Sequence, residues 1–255
     1  MYDGIDVSSI EPKPMSQDRF YFISFIVMAV LCLGGFVPTF FLRPQFFDDP
    51  LPVWMHIHGA LFTLWYFIAI LQSWLILKNK QVLHRELGVV AVIIVISGFI
   101  LTYVSVAYLD ATGQHLTGGA GFSSVLTSAF TCCVLVGVYF RRKPEIHKRL
   151  MVLGTAVLTV PGFDRLIRLI AKPIDPNFTT KNAQMIVLFS AALLVSYMIY
   201  RDIKQFRRPS LGIPLAFVCF AVGGTFGNLF VGTETWAAIV ASFAPSATAG
   251  VPVPH

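Results

Sequence analysis

The chain has 255 residues, 56% of them apolar and 14% aromatic but only 13% charged, with a formal net charge of +6 and a mean hydropathy of +0.72. Soluble globular domains carry roughly twice that charged fraction and disordered chains are far less apolar, so both classes are excluded. The expected fold is all-α, a polytopic integral membrane protein with lipid as its main solvent.

Residues 1–19 read as a polar cytoplasmic leader of mixed charge. The apolar run behind it exceeds twenty residues and lacks a small-x-small cleavage pattern, so it is expected to stay as a span. A bilayer core of about 30 Å needs roughly 20 apolar residues in helix. Seven runs meet that length: 20–42, 53–77, 86–108, 122–140, 150–171, 182–200 and 212–232. Residues 20–232 therefore form a seven-helix membrane domain. The remainder, 233–255, with Pro245, Pro252 and Pro254 among Ala, Ser and Gly, reads as a frayed external tail. Cys32, Cys132, Cys133 and Cys219 all fall inside apolar runs without Cys-x-x-Cys spacing, as small packing residues do.

Seven spans put the two termini on opposite faces. Of the 19 Lys and Arg, 14 flank the N-terminal face, mostly in turns near 78–85, 141–149 and 201–208. The other 5 are Arg43, Arg165, Arg168, Lys172 and Lys181. The positive-inside rule then predicts a cytoplasmic N-terminus and a periplasmic C-terminus in a bacterial inner membrane. Because the basic residues sit in short turns beside the bilayer, the charge points to anionic lipid headgroups and not to nucleic acid.

An internal repeat is visible at a shift of 63 residues. It places Lys80-Gln-Val-Leu-His84-Arg-Glu-Leu87-Gly-Val89 on Lys143-Pro-Glu-Ile-His147-Lys-Arg-Leu150-Met-Val152. Spans two and three thus resemble spans four and five, a parallel duplication that predicts a four-helix core flanked by spans one, six and seven.

Polar side chains are costly in hydrocarbon, so those in the spans are the candidates for function. His58, Trp65 and Gln72 recur every seven residues and form one helical stripe expected to face the bundle interior. His56 and His58 lie about 200° apart on a helix and can share a metal only where the segment is not helical. Asp164 and Arg168 stand at i and i+4 and are expected to pair, with Arg165 beside them, at about the same outer depth as His58. That group suits a quinone carbonyl, an anionic headgroup or a haem propionate, against the plainer reading of snorkelling to phosphates. His84 and His147 occupy repeat-related first turns, where they form either a facing pair able to hold haem b or an interfacial basic cap. His115 and His255 add little. Gly223-x-x-x-Gly227 predicts a close helix contact, with Asn228 nearby to bond across it. No lysine stands mid-membrane in the seventh span, and no phosphate loop or histidine box is present.

The combination His56-x-His58-Gly59, Trp65, Gln72, His84-Arg85-x-Leu87-Gly88 and Pro144-x-x-His147-Lys148-Arg149-Leu150-Met151 resembles a family of uncharacterised bacterial multi-spanning membrane proteins, over roughly residues 36–168. That likeness brings no activity with it. In architecture the chain is also similar to cytochrome b561-type electron carriers, which implies haem on a four-helix core, although here the histidines stand at helix starts. Three functional readings follow. The first is an accessory subunit or assembly factor that docks other membrane subunits through its aromatic exterior. The second is a b-type haem and quinone redox protein, and the third a transporter or lipid-handling protein.

Overall fold

The computed structural model describes residues 16–46, 48, 51–113 and 119–248; His115 and His255 lie outside them. Among the described residues nine α-helices follow in order: α1 (Ser16–Phe36), the short α2 (Arg43–Phe46), α3 (Val53–Leu77), α4 (Gln81–Ala111), α5 (Gly119–Tyr139), α6 (Pro144–Ala171), α7 (Thr180–Phe206), α8 (Gly212–Val231) and α9 (Glu234–Thr248). No strand occurs among the described residues. Seven helices among the described residues are long and apolar enough to cross a membrane, so the molecule is an all-α polytopic membrane protein. In hydrocarbon each backbone N–H must be bonded within its own segment, which leaves helices as the solution for such runs.

The helices outrun several of the apolar stretches that signalled them. Pro144 stands in the first turn of α6, where a missing N–H costs nothing. Thr179 caps α7 by accepting from the Asn182 N–H. Arg207 closes the same helix in the left-handed region at φ 58°, and Asn79 turns the chain from α3 to α4 at φ 56°. After α1 the first span continues through a π-helical turn, Val37–Phe41, which contains Pro38. Proline cannot donate to the carbonyl four residues back, and a wider turn accommodates that loss.

α3, α4, α5 and α6 pack in sequence order, α3 on α4, α4 on α5 and α5 on α6. α1 lies along α6 and α3, α8 lies along α5 and α6, and α7 rests on α6 alone among the larger contacts. Two glycine seams set the closest approaches. A Cβ on Gly35 would overlap the Gly162 carbonyl, which draws α1 onto α6. Gly223 and Gly227 bring α8 against the backbone of Ser128 and Ser124, as their spacing predicts. Asn228 reaches the vicinity of Gly121 across the same seam. All four cysteines are free, and three are buried.

The tail departs from the frayed end expected for it. Residues 234–248 form α9, which packs on α4. Trp236 is buried among Tyr103, Val106 and Ala107, and its Nε1–H donates to Asp110 at 3.3 Å. Thr233 bonds the Trp236 N–H, and Trp236, Ile239, Val240 and Phe243 make an i, i+3, i+4, i+7 stripe. That stripe outweighs Pro245, which stands too near the end to prevent the earlier turns.

Candidate functional site

His84 and His147 occupy the first turns of α4 and α6, on the basic side of the bundle. Both turn inward onto the helix that precedes their own. His84 Nδ1–H donates to the Gln72 carbonyl of α3 at 3.2 Å, and His147 Nδ1–H donates to the Gly137 carbonyl of α5 at 2.8 Å. A carbonyl only accepts, so each bond fixes the proton on Nδ1 and leaves the Nε2 lone pair as the ring's donor to a metal. The two ring centroids are 6.3 Å apart, with the planes at 83°. Two imidazoles on one metal, each Nε2 at about 2.0–2.1 Å from it, have centroids about 6 Å apart.

The cations next to these histidines are engaged elsewhere. Arg85 bonds the Gln81 carbonyl, Lys148 lies over the Tyr21 ring at 5.4 Å, and Arg149 pairs with Asp202. Gln72, from the same α3 turn that receives His84, brings its Nε2 toward Gly88, while its buried Oε1 has no partner among the described residues. No set of three His, Cys, Asp or Glu able to hold a metal ion occurs among the described residues.

The α3 stripe divides into three environments. Trp65 is buried, donates from Nε1 to Thr155 Oγ1 at 3.3 Å, and meets Phe130 edge-on at 5.0 Å. Beside it, the Tyr66 and Thr159 hydroxyls bond at 3.0 Å. These two bonds tie α3 to α6, so Thr155 and Thr159 are residues that sequence reasoning did not single out. Their i, i+4 spacing in an apolar run was the available signal. His58 packs on Phe62 at 4.7 Å, and its buried Nδ1 has no partner among the described residues. His56 is exposed and lies 5.9 Å from the Phe40 ring. Since α3 starts at Val53, both histidines are helical, and the non-helical segment that a shared metal requires is not found.

Near the C-terminal end of α6, Arg168 and Asp164 pair as their spacing predicts, Nη2 to Oδ2 at 2.6 Å. Asp164 Oδ1 and Arg168 Nε are buried without partners among the described residues. Arg165 instead lies over the Phe36 ring of α1 at 4.6 Å. No hydrogen bond or ring contact joins His58 to this group among the described residues. Thr39 Oγ1 and Trp54 Nε1 are also buried and unbonded. Five of the unpartnered polar atoms thus belong to this end of α1, α3 and α6, where hydrocarbon makes each one costly.

The most completely bonded polar group was not foreseen at all. Asp202 of α7 receives both Nε and Nη2 of Arg149, and also the Ser210 N–H at 3.0 Å. Arg149 Nη1 and Ser210 Oγ both donate to the Glu145 carbonyl. Asp202 is the lone acid in the basic stretch 201–208, and that isolation was its only signal.

Compared with family models, with curated proteins and with solved structures, the chain matches none. What stands is a multi-spanning membrane protein identified by its own helices.

Proposed function

We propose that this protein is a membrane redox carrier in which His84 and His147 would hold b-type haem. The observation that carries this reading is the matched pair of Nδ1–carbonyl bonds, with the rings 6.3 Å apart. The residues present fit the group. A histidine that ligates metal through Nε2 has its Nδ1–H held by a carbonyl or carboxylate, and two nitrogen donors without a third ligand suit haem iron better than four-coordinate zinc. Haem bound in this way supplies reversible one-electron transfer.

The chain's own residues do the rest. The Gln72 and Gly137 carbonyls hold both rings in one tautomer and restrict their rotation. The similar position of both bonds, each running to the preceding helix, supports the α3–α4 and α5–α6 duplication. The unpartnered atoms of His58, Asp164 and Arg168 suit a second redox partner that carries carbonyl oxygens, such as a quinone, at the opposite end. The likeness to the bacterial family with the same histidine motifs belongs to this reading. So does a cytoplasmic-membrane location with the histidine pair on the inner side.

The test is the visible spectrum of the detergent-purified protein, expressed with added haem precursor, before and after dithionite. A Soret band with a sharp reduced α-band is expected, lost in both His84→Ala and His147→Ala. A folded, colourless protein that takes up no haem on reconstitution overturns this reading and leaves the accessory subunit in its place.

A further inference from the structure

α1 and α7 both pack on α6 and reach one another through Phe20 and Tyr197, whose ring centroids are 5.3 Å apart. At the basic end the three helices leave a cleft lined by Phe20 and Tyr21 of α1, Arg149 of α6, and Met198, Arg201 and Gln205 of α7. Its enclosed volume is about 10 Å³, room for about one water. A larger ligand therefore sits at the mouth and sends only one atom or so inward.

The charges around that mouth are unequal. Among the described residues Asp202 is the single acid lining it, and its oxygens are taken by Arg149 and the Ser210 N–H. Arg201 has no carboxylate partner among the described residues. It is held against the faces of Phe20 at 4.4 Å and Tyr197 at 5.9 Å. Stacking on two rings presets the guanidinium while leaving its N–H groups for an anion, the arrangement that suits phosphate. Toward the membrane interior both walls expose apolar side chains, Ile23 on α1 and Leu193 on α7. A ligand that satisfies the cleft and these walls together has a phosphate at one end and hydrocarbon behind it.

We infer that the α1–α6–α7 cleft binds an anionic phospholipid, its phosphate on Arg201 and its acyl chains along α1 and α7. The site does not depend on the haem reading, since it shares no residue with the histidine pair.

The experiment measures thermal stabilisation of the whole detergent-purified protein on titration with dioleoyl phosphatidylglycerol, dioleoyl phosphatidylcholine or inorganic phosphate. Phosphatidylglycerol is expected to raise Tm saturably, phosphatidylcholine much less, and inorganic phosphate not at all. Arg201→Gln should weaken the phosphatidylglycerol response roughly fivefold to tenfold, about what one cation near a headgroup contributes. Gln205→Glu, an exposed change that leaves the helix packing intact, should weaken it in the same direction. Arg85→Gln, at the same end but outside the cleft, should leave it unchanged. Equal responses to both lipids, an equal loss in Arg85→Gln, or an undiminished response in both cleft variants would overturn the site. Reproduction of the effect by inorganic phosphate would overturn the lipid as its source.

Discussion

A single residue pair decides how the basic end is held. Arg149 and Asp202 are 6% and 2% exposed, and their fork-to-fork contact fastens α6 to α7 and, through Ser210, to the start of α8. Removing one charge strands the other, which costs about 3–5 kcal/mol when the partner stays buried. Arg149→Met should therefore lower the unfolding temperature in detergent sharply. The double variant Arg149→Met with Asp202→Leu should recover most of the loss but not all, because the Ser210 N–H then lacks its acceptor. Thermal melts of the three proteins check this, and a double variant no more stable than the single one would show that the pair's charge is not what matters. The sequence announced Arg149 only as one of many basic residues. Its role depends on Asp202, a distant partner that nothing local to α6 can signal.

At the scale of helices, legibility followed from whether the pattern was local. The seven spans were readable because each carries its hydrophobicity within one window. Gly223 and Gly227 announced their seam within a single turn of α8. Gly35 and Gly162 did not, since they meet across two helices far apart in the chain and neither has a small neighbour at the right spacing on its own helix. α9 was missed for a different reason: three prolines in the tail drew attention from the stripe that starts at Trp236. The α1–α6 seam yields a prediction with an internal control. A methyl on Gly35 or Gly162 meets backbone, at the Gly162 carbonyl and at Cys32 respectively, and backbone cannot move aside as a side chain can. Gly35→Ala and Gly162→Ala should each destabilise by about 1–3 kcal/mol. At Gly34 the same methyl would meet only the Leu166 side chain at 3.5 Å, an ordinary contact. There the higher helix propensity of alanine makes Gly34→Ala neutral or slightly stabilising. Parallel melting curves separate the cases, and equal losses at Gly34 and Gly35 would contradict the seam.

For the whole molecule the open matter is its direction in the membrane, and charge and length together give an answer. α9 has 15 residues, a rise of roughly 22 Å at 1.5 Å per residue, which is short of the bilayer core. It packs against α4 without the length for an eighth crossing. With 14 of 19 basic residues on one face, the positive-inside rule predicts that this face, and the histidine pair with it, is turned toward the cytoplasm. Alkaline phosphatase, active only outside the cytoplasm, should be active when fused after residue 248 and inactive when fused after Phe206. The rule also predicts what should not change: neutralising Arg141, Arg142 and Lys143 together leaves 14 − 3 = 11 against 5, a bias that still points the same way. The fusion pattern should survive that triple substitution. Reversal in the unmodified protein would place the histidine pair on the outer side, and any electron carried through it would then leave the membrane on that face.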